Sequence, residues 1–266
     1  MRVGHILVCH SVDPSKLFES IPHDDDAAWF VFFHGQDLEL LDKVDVSVRS
    51  RQGDLFPYMV NRGLAKSWNT GIHLAVQAQC ETILLLNDDL FFYEGAYCEF
   101  LRTIEAVNDL SDNVSFISTN GLETGGSPFV GKVIPQNFAC CALTTSAVDR
   151  VGYFDENFWP AYFEDVDYAR RAGLLGMTVH IDPRTLVEHE RSSTSRKDED
   201  IRKNSADYFN ANKAYFEKKW GGSRGSEAFN RPFGCATFDS LIPYERRNAP
   251  YGQSFDREDI AQWRLS

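Results

Sequence analysis

Three groups of acidic and imidazole side chains have the types and spacing to do chemistry. The first is Asn87-Asp88-Asp89, which follows the apolar run Thr82–Leu86. Carboxylates released at the end of a buried strand face the open edge of a sheet. Hard oxygen ligands there suit Mg2+ or Mn2+, which in turn bridge phosphates. Read alone, the tripeptide is equally a polar turn. The second is Glu164-Asp165-x-Asp167, placed after an aromatic loop and at the start of a helical pattern. Acids at a helix N-terminus are favoured by the helix dipole. They also suit a general base, with aromatic neighbours to hold a sugar ring or shift the pKa. The third is His189 after Leu186-Val187, which reads as a metal ligand or as a structural histidine. The histidines form no HxxxH pair, so a zinc hydrolase is not indicated, and no Walker A sequence and no GxGxxG after the first strand are present. The Asp24–Asp26 run has no further ligand near it and reads as a solvated loop.

The elements that must position these groups follow from periodicity. Arg2–Cys9 and Trp29–Phe33 read as buried strands, Ser15–Ser20 as a short helix, and the alternating Val44–Val48 as a third strand. Leu64, Trp68, Ile72, Ala75 and Val76 recur at helical spacing, interrupted by Gly63 and Gly71, which mark close backbone approach. Thr82–Leu86 is a strand, Glu94–Asn108 a helix and Val114–Thr119 a strand. This alternation argues for an α/β fold with a mostly parallel sheet flanked by helices, binding at the C-terminal ends of its strands. Farther on, Asn120–Ser127 reads as a glycine-rich loop, Phe138–Thr144 as a strand and Ser146–Val151 as a helical turn. Glu164–Ala172 is a helix that Gly173 or Gly176 terminates, and Met177–Ile181 is a strand. Tyr208, Asn212, Tyr215, Phe216 and Trp220 lie on a closing helix ended by Gly221-Gly222.

Composition narrows the partners. The 266 residues carry 27 basic and 39 acidic side chains, a net charge of −12, and no segment forms a basic stripe. Nucleic acid phosphates are therefore disfavoured partners, although a local basic groove or a modified base as acceptor stays open. With 43% hydrophobic residues the chain reads as a globule, and 13% aromatics exclude disorder along its whole length. Its apolar runs fall short of the roughly 20 residues of a transmembrane helix. The N-terminus lacks a signal-peptide pattern. The expected location is cytoplasmic, with a peripheral place at the inner membrane face as the variant. Cys9, Cys80, Cys98, Cys140, Cys141 and Cys235 have no CxxC spacing and read as buried thiols.

Taken in order, these pieces resemble the family 2 glycosyltransferases of the GT-A fold. The matching residues are Asn61-Arg62-Gly63-Leu64-Ala65, Asn69-x-Gly71-Ile72 and Ile83–Leu86 with Asn87-Asp88-Asp89. They continue through Val151-Gly152-Tyr153-Phe154-Asp155-Glu156-Asn157-Phe158 and Tyr162-Phe163-Glu164-Asp165-Val166-Asp167. They end with His189 and with Asn212-x-Ala214-Tyr215-Phe216 through Lys219-Trp220-Gly221. The resemblance covers residues 1–221 as one GT-A domain and leaves 222–266 as a C-terminal extension, over the acceptor cleft, on the domain or at a homodimer contact. It implies an inverting transferase that moves a sugar from a nucleotide-diphosphate donor to a hydroxyl of a glycan, polysaccharide or other acceptor. Mn2+ or Mg2+ would neutralise the leaving diphosphate without an acid catalyst. Asp89 and His189 would hold the ion, Asn87 would touch ribose or a ligating water, and Asp88 would reach the sugar. Asp165 would be the base and Glu164 would orient the acceptor or sugar. His10, Arg62 and Asn69 would join the nucleotide-sugar site, and Arg191–Lys203 would be a lid.

One departure concerns the base of the nucleotide. The family's aspartate after the second strand is replaced here by Phe33-His34-Gly35-Gln36-Asp37, so that His34 takes its place or the register shifts to Asp37. Two other functions share parts of this pattern. A sugar nucleotidyltransferase would carry a glycine-rich basic loop after the first strand, which this chain lacks. A non-catalytic nucleotide-sugar or glycan binder would keep the fold and lose the Glu164-Asp165 pair.

Overall fold

The computed structural model describes residues 1–124, 131–135, 137–190 and 199–234. The strands are β1 (Val3–Cys9), β2 (Ala28–Phe33), β3 (Asp54–Pro57), β4 (Thr82–Asn87), β5 (Leu90–Phe92), β6 (Val114–Glu123), β7 (Val133–Pro135), β8 (Cys140–Thr144) and β9 (Thr178–His189). The helices are α1 (Ser15–Ser20), α2 (Leu38–Ser50), α3 (Leu64–Gln77), α4 (Ala96–Leu110), α5 (Thr145–Val151), α6 (Glu164–Leu174) and α7 (Glu199–Trp220). They surround one sheet of order β3-β2-β1-β4-β8-β6-β9-β5, with β7 beside β6.

Strict alternation builds the two faces of this sheet. Leu7, Val31, Leu84 and Leu86 pack with Leu17, Leu40, Val44, Tyr97 and Phe100 of α1, α2 and α4. Ile6, Phe32, Ile83 and Leu85 point the other way, onto Trp68, Ile72, Val148 and Tyr168 of α3, α5 and α6. Successive strand residues face opposite sides, so a parallel strand covered on both faces must be apolar throughout. The β3-β2-β1-β4 half is parallel, as expected, and so is β6-β9. The later half also contains antiparallel pairs, β8 with β4 and β6, and β5 with β9.

Val44–Val48 is helix, not strand. Val44 and Val48 lie one turn apart with Leu40 and are buried, while Val46 is 70% exposed. The alternation was a helical stripe sampled over too few residues. Asn120–Glu123 continues β6 instead of opening a loop; Gly125, Gly126 and Ser127 lie outside the described residues. Met177–Ile181 and Val187–His189 join in one long strand, β9, because β6 supplies a partner along most of its length. Cys98 is exposed on the outer side of α4, whereas Cys9, Cys80, Cys140 and Cys141 are buried thiols. Cys235 lies outside the described residues, as do Phe238, Tyr244 and Tyr251 of the C-terminal extension. Among the described residues, no helix is long and apolar enough to cross a membrane.

The third cluster, Phe158, Tyr215, Phe216 and Trp220, docks α7 beside α6. Beneath it lies a buried ionic network. The Lys219 ammonium is 2.8 Å from Asp155 and 2.6 Å from Asp167, all with side chains fully buried. Arg171 adds an ion pair to Asp167 at 2.9 Å and donates to the carbonyls of Val151 and Tyr153. Tyr215 donates to Asp155, and the Trp220 indole donates to Asp167. Removing one member of such a network leaves uncompensated charge in the interior. Lys219→Met should therefore destabilise the fold by about 3–5 kcal/mol. A thermal melt within a degree of the unmodified protein would show that the network is dispensable.

Candidate active site

The direction of the chain reverses across the sheet between β1 and β4. From β1 it steps outward to β2 and β3 through α1 and α2 on one face, then returns to β4 through α3 on the other. The C-terminal ends of β1 and β4 flank the crevice that such a switch opens. His10 emerges from one and Asn87-Asp88-Asp89 from the other. A carboxylate oxygen of Asp88 accepts a hydrogen bond from the His10 backbone N–H at 3.1 Å, which ties the two strand ends together.

His34, Tyr58 and Arg62, expected on the nucleotide side, gather near the ends of β1 and β2. His34 is buried, its Nε2 2.7 Å from the Ser67 hydroxyl. Burial, followed by the charges of His10 and Arg62, pushes its pKa down to about 3, so its ring is neutral. The Arg62 guanidinium lies 4.3 Å from the centre of the Tyr58 ring, and that ring meets His34 edge-on. Arg62 is presented by a tight turn: Gly63 adopts φ +87°, and a Cβ there would stand 2.7 Å from Trp159. Asp37 has a different task. It is exposed and caps α2, accepting from the Leu40 N–H at 3.1 Å. Of the two positions after β2, His34 is the one beside His10 and Arg62.

Asn69 does not join them. It is 2% exposed on α3 and spends its amide inside the protein. Its Nδ2 donates to the Phe154 carbonyl and to Glu156, and its Oδ1 accepts from the Phe154 N–H at 2.8 Å. It clamps α3 to the segment that leads into α6.

Asp89 and His189 do come together. The antiparallel β5–β9 ladder pairs Leu90 with His189, and the Glu190 N–H donates to the Asp89 carbonyl. The Nε2 of His189 stands 3.2 Å from Asp89 Oδ1. Its Nδ1 stands 3.3 Å from Glu123 Oε1, on β6, a wholly buried acid that periodicity placed in a loop. Burial lowers the His189 pKa, but Asp89 and then Glu123 outweigh it and hold the pKa above the ordinary value. Among the described residues, no group of three or more His, Cys, Asp or Glu side chains is arranged to hold a metal. Asp89 and His189 offer one carboxylate and one imidazole, a donor set that fits Mn2+ or another divalent ion whose remaining ligands come from phosphate and water.

Glu164 and Asp165 open α6 after an unusual entry. Tyr162 and Phe163 both take positive φ, 82° and 75°. Bulky residues rarely adopt this conformation, and each costs on the order of 1–3 kcal/mol unless its surroundings enforce it. Asn212 of α7 enforces it by donating to the carbonyls of Ala161 and Tyr162. Burial and then the Asp165 charge push the Glu164 carboxyl well above its ordinary range. Burial also raises Asp165, with the Val166 N–H and Arg224 opposing. The Asp165 charge in turn reaches the Cys141 thiol on β8, beside the end of β4. Arg224, beyond α7, had no motif to announce it. A separate cavity lined by Glu81, Glu105 and Asp109 opens at the opposite end of the sheet, remote from these groups.

This architecture recurs in solved structures. A mannosyltransferase of Pyrobaculum calidifontis, in complex with GDP-Man and Mn2+, superposes with a TM-score of 0.52 at 13% identity, over 73% of this chain and 59% of that one. GalNAc-T7 with UDP, GalNAc and Mn2+ gives 0.51 at 11% identity, over 71% and 44%. TarS of S. aureus gives 0.50 at 14%, over 72% and 37%. The fold is that of the GT-A glycosyltransferases. In sequence, the chain is 40% identical over 76 residues to a galactofuranosyl glycosyltransferase of Leishmania donovani, which is 27% of this chain and 17% of that protein. No family model matches. The chain spans less than two thirds of each of these relatives.

The placement of Asn69 has a direct consequence. Asn69→Ala removes three buried hydrogen bonds and should destabilise the fold by about 1–3 kcal/mol. Nucleotide affinity of the folded variant should stay within about threefold, under 1 kcal/mol. A large loss of affinity in a protein that melts normally would return Asn69 to the donor site.

Proposed function

We propose that the chain transfers a sugar, with inversion, from a nucleoside-diphosphate donor to an acceptor hydroxyl, with a divalent cation at Asp89 and His189. The observation that carries this reading is the meeting of Asp89 with His189 at 3.2 Å beside the β1–β4 switch point. The complexes of the structural relatives with GDP-Man or UDP and Mn2+ support it. When bound, the cation neutralises charge that develops on the departing diphosphate.

The remaining steps belong to the chain's own residues. Arg62 adds positive charge on the nucleotide side, and its Tyr58 contact holds it in place. His34, neutral and buried, backs this contact: its Nε2 meets the Ser67 hydroxyl and its ring meets Tyr58. Asp165 takes the proton from the acceptor oxygen as it attacks the anomeric carbon, opposite the leaving group. A base works best with a pKa near the working pH, and burial moves Asp165 in that direction. Glu164, whose carboxyl burial and the neighbouring Asp165 charge push well above its ordinary range, orients the acceptor or sugar.

Thermal-shift measurements with UDP, GDP and their sugars, with and without Mn2+, test this reading. One nucleotide should raise the midpoint only with Mn2+, through a stabilisation of about 2.7 kcal/mol at 100 times its Kd. Asp89→Ala should lose the Mn2+-dependent shift. No shift with any nucleotide would favour a glycan-binding module of the same fold.

Asp165 has its own signature in pH. Asp165→Asn should keep the shift and lower turnover about 10²–10⁴-fold. In the unmodified protein kcat should fall as acid protonates Asp165, with the midpoint above the ordinary aspartate value of about 3.9. Undiminished turnover in Asp165→Asn would remove it as the base.

A further inference from the structure

We infer that Glu123 is a positioning residue for the metal site: it holds the Nδ1 side of His189, so that Nε2 is the atom turned toward Asp89 and the ion. The inference rests on the metal-dependent donor site proposed above, and it concerns a residue outside every motif that site was read from.

Geometry supports it from three sides. Glu123 and His189 are register partners on the parallel β6–β9 pair, and the Thr124 N–H donates to the His189 carbonyl. The Glu123 backbone is fixed in its turn by hydrogen bonds with Lys132 and Gly131. Asp89 reaches the opposite edge of the same imidazole from the β5 side. The order is therefore Asp89, Nε2, Nδ1, Glu123, with each member carried by a strand or by the residue next to one. A wholly buried carboxylate is costly unless it has a task that repays its desolvation. Holding an imidazole is such a task. A ligating histidine is oriented, and made more basic, by a carboxylate on its other nitrogen, and loss of that partner typically weakens metal binding 10–100-fold.

The chemistry also names the ion that should feel the loss. Imidazole suits Mn2+ better than Mg2+, which prefers oxygen ligands and water. Glu123 should therefore contribute to Mn2+ affinity more than to Mg2+ affinity. General damage to the fold would weaken both ions alike.

The experiment compares the unmodified chain with Glu123→Gln and Glu123→Leu, each first checked for its thermal midpoint. Mn2+ binding is followed by electron paramagnetic resonance in the presence of the diphosphate that binds, and Mg2+ by competition. Pulsed measurements on the Mn2+ complex read the histidine nitrogen. Glu123→Gln still offers an oxygen to Nδ1–H and should stay within about threefold of the unmodified Mn2+ affinity, with the nitrogen coupling retained. Glu123→Leu should bind Mn2+ 10–100-fold more weakly, lose or alter the coupling, and change Mg2+ affinity by less than threefold. Unchanged Mn2+ affinity and coupling in folded Glu123→Leu would overturn the role of Glu123 alone. Equal weakening of both ions would overturn it in favour of a purely structural acid. An unmodified chain that binds diphosphate without Mn2+ and shows no nitrogen coupling would instead overturn the metal reading on which it stands.

Discussion

The Lys219 ammonium is enclosed between the carboxylates of Asp155 and Asp167, and the geometry of the candidate base depends on it. Asp155 belongs to the loop after α5, Asp167 to the first turns of α6, and Lys219 to the end of α7. These segments share no strand ladder that could set their register. Arg171 balances the second acid, so two positive groups face two negative ones in an environment closed to water. Such an arrangement is weak support for stability in itself, because desolvation consumes much of the attraction. Its value is directional. An apolar replacement could fill the volume, but it would not require these three backbones to meet at one point. With the point fixed, Asn212 can reach two carbonyls of the strained Ala161–Phe163 entry, and α6 begins where Asp165 needs it.

The sheet provides the other reference frame. Both faces of β1, β2 and β4 are apolar, so a slip of a single residue would turn each side chain to the wrong helix layer. Register is thus set by the core, and polar residues at the strand ends inherit their positions from it. His10 and Asp88 meet for this reason. Asp89 and His189 meet through the short β5, only three residues long, whose pairing with β9 closes the far side of the crevice. The residues after α7 add a final brace. Glu227 pairs with Arg170, and Phe229 packs where a Cβ on Gly221 would have to stand, returning the chain to α6.

Much of this was legible because its physical causes are local. The apolar strands β1, β2 and β4, the helix stripe of α3 and the Asp-rich end of β4 follow from period and composition. Val44–Val48 was not legible over five residues, since a β-like alternation and a helical i,i+4 pair share two of the same valines. The tip of β6 was missed because Asn120-Gly121 reads as a breaker, whereas pairing with β9 and β7 overrides that preference. Glu123 was lost with it. Asn69 shows the opposite error: a polar residue within a motif was read as ligand-facing, although its amide satisfies buried backbone groups. Short patterns report residue type, and which side a side chain faces is settled by packing between distant segments.

Asp165 and Asp167 bring these points together. They are the same residue type, two positions apart on one helix, and therefore about 200° apart around its axis. That rotation gives them opposite environments. Asp167 turns inward, where burial alone would raise its pKa but Lys219 and Arg171 outweigh it and hold it ionised. Asp165 lies on the other side of the helix, where burial raises its pKa and the Val166 N–H and the Arg224 charge only partly oppose the effect. A carboxylate kept charged is a fixed anchor, and one with a raised pKa can exchange a proton. The anchor contributes stability above the unfolded-state pKa, and this is lost as acid titrates through its depressed folded value. A base at Asp165, the role proposed for it, is in contrast already sensitive to milder acid. Function should therefore fail at a higher pH than the fold does, because the two acids divide their roles by the side of one helix on which each is placed.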